Sequence, residues 1–358
     1  MWIACLLNVS GQEPCVFKRG QKIAGRHIIR ELYGPLWQNR PMPALTYKAA
    51  TSSVEPSILT IRLCNWIGDV VMCLPALELL HSRGYQLHLY GKGWVSDLLG
   101  AYDWPVTVRK GRLKERMAHI KAMGAQEALV FPNSFSSAAE MRLSGLKTTG
   151  YAKDGRSLFL THRYPLPDKT GHALESFWDL ACKFIGEQLP PPADIRMRVT
   201  AQATQAADVL IQTHGLKRYV CIAPFATGQM YQHGKKWPAF RSFVQLLAAQ
   251  GVQVVVCPGP GEEEEAVQAY PGALCLKGVP LSTYCALLGR AALMVANDTG
   301  PGHMAAAMGT PLISVLGPTP PAHWRPWGSQ VKVMRCWPEW PTANDVLASA
   351  CEQLGLPA

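Results

Sequence analysis

Residues 295–319 read VANDTGPGHMAAAMGTPLISVLGPT. An apolar run, Leu293–Ala296, enters the polar, glycine-rich turn Asn297–Gly302. A run of small residues follows, then a second apolar run at Pro311–Leu316. This order predicts strand, tight turn, helix, strand, which is one βαβ unit of a parallel sheet. Gly300 and Gly302 permit close backbone approach, and Ala305–Ala307 let the helix lie near the sheet. The turn leaves free N–H groups at a helix N-terminus, where the macrodipole favours an anion. Asp298 and Thr299 are both able to cap that helix. Two readings stay open: a phosphate or diphosphate site, and an ordinary capped helix. His303 falls in the first helical turn, where it is expected to stay neutral.

Working outward, the same alternation recurs. ILTIRL, QLHLYG, PVTVR and EALVFP read as strands, with DVVMCLPALELLHSRG, WVSDLLGAY and LKERMAHIKAMG as helices between them. The proline-rich LPPPADIRMR (Leu189–Arg198) interrupts the pattern. Alternation restarts with YVCIAPF and runs to a last helix in TANDVLASACEQLG. The expectation is an α/β chain of two doubly wound, Rossmann-like domains, 57–195 and 196–358, with a terminal helix. Residues 1–56 hold five prolines and little periodicity, and read as a separate appendage. Paired sheets of this kind bind ligands where strand C-termini face a cleft.

Composition narrows the function classes. No apolar stretch approaches the ~20 residues of a membrane span. The eleven cysteines include no C-x-x-C pair, which suits reduced thiols in a cytosolic enzyme better than a disulfide framework or zinc site. The formal net charge is +10, and residues 1–56 contribute seven Lys/Arg against three Asp/Glu. A second focus, Arg109–Lys121, carries six Lys/Arg and one Glu. It reads as a solvated helix face or as a surface for an anionic substrate or membrane. No recognition motif for nucleic acid accompanies the charge.

Three further stretches carry chemistry. RLCNWIGDVVMCLPAL (Arg62–Leu77) is strand, glycine turn, helix, and places Asp69 at the helix start beside the strand end. Asp69 is either a carboxylate serving the helix dipole or a general base. PFATGQMYQHGKKWPAF (Pro224–Phe240) ends a strand in a Thr/Gly loop and puts two lysines before Trp237-Pro238. A lysine there can neutralise phosphate. PGPGEEEE (Pro258–Glu265) sets acids at a helix N-terminus, serving the dipole or binding ribose hydroxyls.

Taken together, NDTGPGHMAAAMGTPLISVLGPT, GKKWP and NWIGDVVMCLPAL resemble glycosyltransferase family 9, the ADP-heptose transferases of bacterial lipopolysaccharide cores, over about residues 57–335. NWIGD and FPNSFSSA (Phe131–Ala138) are most similar to the branch that adds the second heptose, with Ser136 where that branch carries Lys. The resemblance implies a GT-B fold, with the acceptor on the N-terminal domain and the donor on the C-terminal one. It implies metal-independent, inverting transfer of L-glycero-D-manno-heptose from ADP-heptose to the inner core, with no cofactor. Asp69 is the implied base, and Lys235 the diphosphate lysine, with Lys236 one register away. Thr227, Gly228, Asp298, Thr299, Gly300 and His303 are implied to hold the donor, and Glu262 or Glu263 the ribose. Gly68, Asn133 and Ser134 fall on the acceptor side, as do Arg112 and Arg116, four apart and expected to share a helix face. A cytoplasmic protein in peripheral contact with the inner membrane, not binding nucleic acid, follows from the same resemblance. A relative using another ADP-sugar or a protein acceptor fits these motifs too, and a non-catalytic nucleotide-binding protein is the reading from a different class.

Overall fold

The computed structural model describes residues 57–153, 155–167 and 171–357. The stretch 1–56, read above as a basic appendage, lies outside the described residues, and the described residues belong to one compact unit.

Two six-stranded parallel sheets organise it. The first has the order β3-β2-β1-β4-β5-β6. Its strands are β1 (Ile58–Arg62), β2 (Gln86–Gly91), β3 (Val106–Val108), β4 (Glu127–Val130), β5 (Lys147–Ala152) and β6 (His162–Pro165). The second has the order β11-β10-β7-β12-β13-β14. Its strands are β7 (Tyr219–Ala223), β10 (Gln253–Val256), β11 (Leu274–Cys275), β12 (Leu293–Ala296), β13 (Leu312–Val315) and β14 (Val331–Met334). A small hairpin, β8 (Gln229–Met230) and β9 (His233–Gly234), precedes the lysine pair. Every pairing within the two large sheets is parallel. The central strands β7, β12 and β13 are buried along their whole length. Parallel strands sealed on both faces by helices demand such unbroken apolar runs.

Each strand order reverses between its first and fourth strands, at β1/β4 and at β7/β12. Open α/β sheets bind ligands at the carboxyl ends of strands beside that reversal. Helices α1 (Ile67–Ser82) and α10 (Gly300–Ala307) leave from β1 and β12, and they pack together. With α5 (Ala173–Ile185), α6 (Ala201–Thr213) and α9 (Leu281–Leu288) they form an apolar layer continuous between the sheets. On the other face of the first sheet lie α3 (Leu113–Ala122) and α4 (Phe135–Leu143), over a smaller core of Tyr90, Ile120, Met141 and neighbours. One-turn α2 (Val95–Leu98) follows β2. On the second sheet α7 (Phe240–Ala249) and α8 (Glu263–Ala269) follow β7 and β10, α11 (Pro321–Trp324) follows β13, and α12 (Ala343–Leu354) packs back on α7.

The proline-rich segment Leu189–Arg198 has no regular structure but is tied down. The Trp327 indole donates to Pro192 O at 2.9 Å, and Met197 N donates to Ala307 O at 2.9 Å. Nine described cysteines are free thiols. No helix of the described residues is long and apolar enough to cross a membrane.

Candidate active site

The two strand ends converge on a meeting of helix N-termini. Trp66 is the N-cap of α1 and Thr299 that of α10, and neither helix has a side-chain cap. The capping expected of Asp298 and Thr299 therefore does not occur, because Asp298 is engaged elsewhere. The two first turns touch: a methyl group on Gly300 would fall 2.9 Å from Ile67 Cβ and 3.7 Å from Gly68 N. A methyl on Gly68 would fall 2.7 Å from His303 Cδ2. Glycine is needed at both positions for closeness, not for left-handed backbone. Two uncapped, positive helix ends at one place create a strong preference for an anion.

Around this junction stand three charged side chains. Lys235 Nζ lies 2.7 Å from Asp298 Oδ2, which also accepts a 2.8 Å hydrogen bond from the Thr319 hydroxyl. Asp69, in the first turn of α1, has its pKa pushed up to about 6. Burial is the main cause, Asp298 adds repulsion and Lys235 opposes it. A carboxyl in that range is ionised at neutral pH yet basic enough to accept a proton. His303 is buried, and burial pushes its pKa down to about 4. It is therefore a neutral imidazole, and its Nδ1 has no hydrogen-bond partner among the described residues.

The lysine register follows from packing. Trp237 is buried; its backbone N–H donates to Asn297 Oδ1 at 3.0 Å and its indole to Pro341 O at 2.8 Å. Asn297 in turn donates to Pro224 O at 2.6 Å. With Trp237 pinned, Lys235 reaches Asp298, and Lys236 turns out to Glu265 at 3.2 Å. No site role is assigned to Asn297, Thr319 or Trp237 by sequence alone. Thr319 sits in the quoted GPT and Asn297 directly before Asp298, and those adjacencies are the available signals.

The remaining candidates are placed as follows. Thr227 and Gly228 lie on the exposed loop after β7, with Gly228 at φ +81°. Glu262 accepts from Gly259 N at 2.9 Å and Glu263 from Gly261 N at 2.7 Å, so both carboxylates bind their own turn. Asn133 Oδ1 is buried with no hydrogen-bond partner among the described residues. Ser134 caps α4, accepting from Ser137 N at 3.3 Å. Arg112 is the exposed N-cap residue of α3, but Arg116 turns inward to the buried Glu140 at 3.0 Å. The two arginines stand one helical turn apart, Arg116 N donating to Arg112 O at 3.0 Å, but Arg116 is only partly exposed because its guanidinium pairs with the buried carboxylate. Among the described residues no three His, Cys, Asp or Glu side chains are grouped to hold a metal.

The sequence model of glycosyltransferase family 9 (heptosyltransferase) matches residues 116–353. Lipooligosaccharide heptosyltransferase 2 of Haemophilus ducreyi is 24% identical over 303 residues, covering 76% of this chain and 86% of that protein. Lipopolysaccharide heptosyltransferase 3 of Escherichia coli is 32% identical over 125 residues, covering 32% of this chain and 36% of that protein's length. Among solved structures, E. coli ADP-heptose lps heptosyltransferase II superposes with a TM-score of 0.69 at 21% identity, covering 83% of this chain and 98% of that one. E. coli heptosyltransferase WaaC with ADP gives a TM-score of 0.65 at 22% identity, covering 83% and 99%. The two-sheet architecture is the GT-B fold of these structures.

Proposed function

The chain belongs to glycosyltransferase family 9 and is a glycosyltransferase; from that premise we propose that it moves L-glycero-D-manno-heptose from ADP-heptose to a hydroxyl of a lipopolysaccharide inner core, with inversion. The observation that carries this reading is the junction itself: two uncapped helix N-termini, a coupled carboxyl and a lysine at the reversal points of both sheets.

Asp69 takes the proton of the acceptor hydroxyl as its oxygen attacks the anomeric carbon. The new carbon–oxygen bond forms on the face opposite the leaving group, and the bond from that carbon to the diphosphate oxygen breaks. ADP leaves with the bonding electron pair. Lys235 and the N-terminus of α10 stabilise the charge that accumulates on the diphosphate. Lys235 keeps one N–H on Asp298 and has further donors for phosphate oxygens. A neutral His303 adds no positive charge beside the base, so Asp69 keeps its basicity. Thr227, Gly228, Asp298, Thr299 and Gly300 surround the donor, and Glu262 or Glu263 takes the ribose hydroxyls. Gly68, Asn133 and Ser134 line the acceptor side. No cofactor and no metal is needed in this scheme, and no nucleic acid is a partner. The protein works in the cytoplasm, at the inner leaflet where a lipid-borne acceptor is found.

The test is release of ADP from ADP-heptose with defined, truncated core acceptors, and NMR assignment of the anomeric configuration of the product. Turnover restricted to another nucleotide sugar, or a product retaining the donor configuration, would refute the proposal.

A further inference from the structure

Glu140 is a buried carboxylate. It lies in the second turn of α4 and its side chain is 1% exposed. Arg109 Nε is 3.0 Å from its Oε2 and Arg116 Nε is 3.0 Å from its Oε1. The Tyr90 hydroxyl donates to Oε1 at 3.3 Å, and Arg62 Nε stands 4.0 Å from Oε2. Arg62 closes β1, Tyr90 is near the end of β2 and Arg109 follows β3, so the cluster sits at the carboxyl edge of the first sheet. Asp69 leaves from that same edge.

Three guanidinium groups share one carboxylate, which leaves two positive charges uncompensated. Arg62 is buried, and it donates from Nη1 to Leu63 O and from Nη2 to Asn65 Oδ1, at 3.2 Å for the latter. It therefore braces the loop that leads to Asp69. Arg109 and Arg116 differ: their side chains are 25% and 21% exposed. Arg109 Nε donates to Glu140 Oε2, whereas Arg116 Nε pairs with Oε1 by charge at 3.0 Å without hydrogen-bond alignment. Their terminal nitrogens have no hydrogen-bond partner among the described residues. One buried carboxylate thus holds two partly exposed guanidinium groups, one through each of its oxygens. That geometry fits an oxyanion of two or three acceptor oxygens.

We propose that Glu140 is a positioning residue that sets Arg109 and Arg116 as a paired subsite for an anionic group, phosphate or carboxylate, of the acceptor. The inference rests on the acceptor assignment made above. Arg109 and Arg116 meet different oxygens of Glu140, so a carboxamide there turns an NH2 donor toward one of them and the pair comes apart while the residue's shape is kept.

The experiment is steady-state kinetics of Glu140→Gln and Arg109→Lys beside wild type, using three core acceptors: intact, dephosphorylated and carboxyl-reduced. Arg109→Lys keeps the charge and leaves Glu140 in place, so it guards against loss of folding in the first variant. Expected is a rise of about tenfold in acceptor KM for both variants, with kcat and the KM for ADP-heptose within twofold. Wild type should discriminate against whichever modified acceptor lacks the bound group, and both variants should lose that discrimination. An unchanged acceptor KM in Arg109→Lys, or equal loss on all three acceptors, overturns the inference. Failure of wild type to turn over any acceptor would instead overturn the proposed function.

Discussion

Lys235 Nζ lies 2.7 Å from Asp298 Oδ2, and both charges act on the carboxyl of Asp69 from the other sheet. Asp298 raises the Asp69 pKa and Lys235 lowers it, so the proposed base of one half is tuned by an ion pair of the other. Burial supplies the largest part of the upward shift. This coupling makes the base assignment testable through its pH dependence.

Wild-type kcat/KM is expected to fall below a pKa of about 6, as Asp69 takes up its proton. Replacing Lys235 by Gln removes an opposing charge and should move this acid limb to higher pH. Replacing Asp298 by Asn should move it to lower pH. The check is the pH–rate profile of residual activity in each variant; shifts in the opposite sense would remove Asp69 from the role of base.

Asp69→Asn should cut turnover by at least about 10²-fold, the usual scale for a general base. It should also stabilise the fold. The folded pKa is raised above the unfolded one, so the ionised form carries a cost that is complete above pH 6 and fades as pH falls towards 4. That cost is at most about 3 kcal/mol at pH 8. Thermal denaturation should show Asp69→Asn with the higher Tm at pH 8 and no advantage at pH 4. A lower Tm at pH 8 would mean that the carboxylate serves stability.

Lys235→Ala should weaken ADP-heptose binding and turnover by tenfold or more. Lys236→Ala should stay within about twofold, since its partner Glu265 and itself are exposed and such pairs contribute about 0–1 kcal/mol. Donor titration by calorimetry, with kinetics, distinguishes them. The reverse order would place the wrong lysine at the diphosphate.

Gly68→Ala should lower both Tm and kcat, because its methyl would press within 2.7 Å of the His303 ring. Overpacking of this sort costs about 1–3 kcal/mol. Gly93→Ala is the control, its methyl meeting only Val108 Cγ1 at 3.8 Å. Equal behaviour of the two variants would show that the α1–α10 junction yields easily.

EDTA should leave ADP release unchanged, since Lys235 and the α10 N-terminus carry the leaving-group charge in the proposed scheme. A requirement for added Mg²⁺ would contradict that scheme.

The α/β class is legible in unbroken apolar runs such as YVCIAPF and ALMVA, which suit strands sealed on both faces. The sequence also placed Asp69 and Asp298–Gly300 at strand ends, since a glycine turn between an apolar run and a helix has a local geometry. Less regular elements escaped it. The edge strands β6, β11 and β14 carry no such pattern, because an edge is sealed on fewer sides and its residues are only partly buried. Which charges meet depends on packing that no local pattern records. Lys235 was separated from Lys236 by the pinning of Trp237 against Asn297, sixty residues away in the chain. Arg116 was taken from solvent by Glu140, which nothing in its own helix sequence marks as buried. The physical reason is that an ion pair is set by the packing of elements distant in sequence, whereas periodicity records only which face of each element is dry.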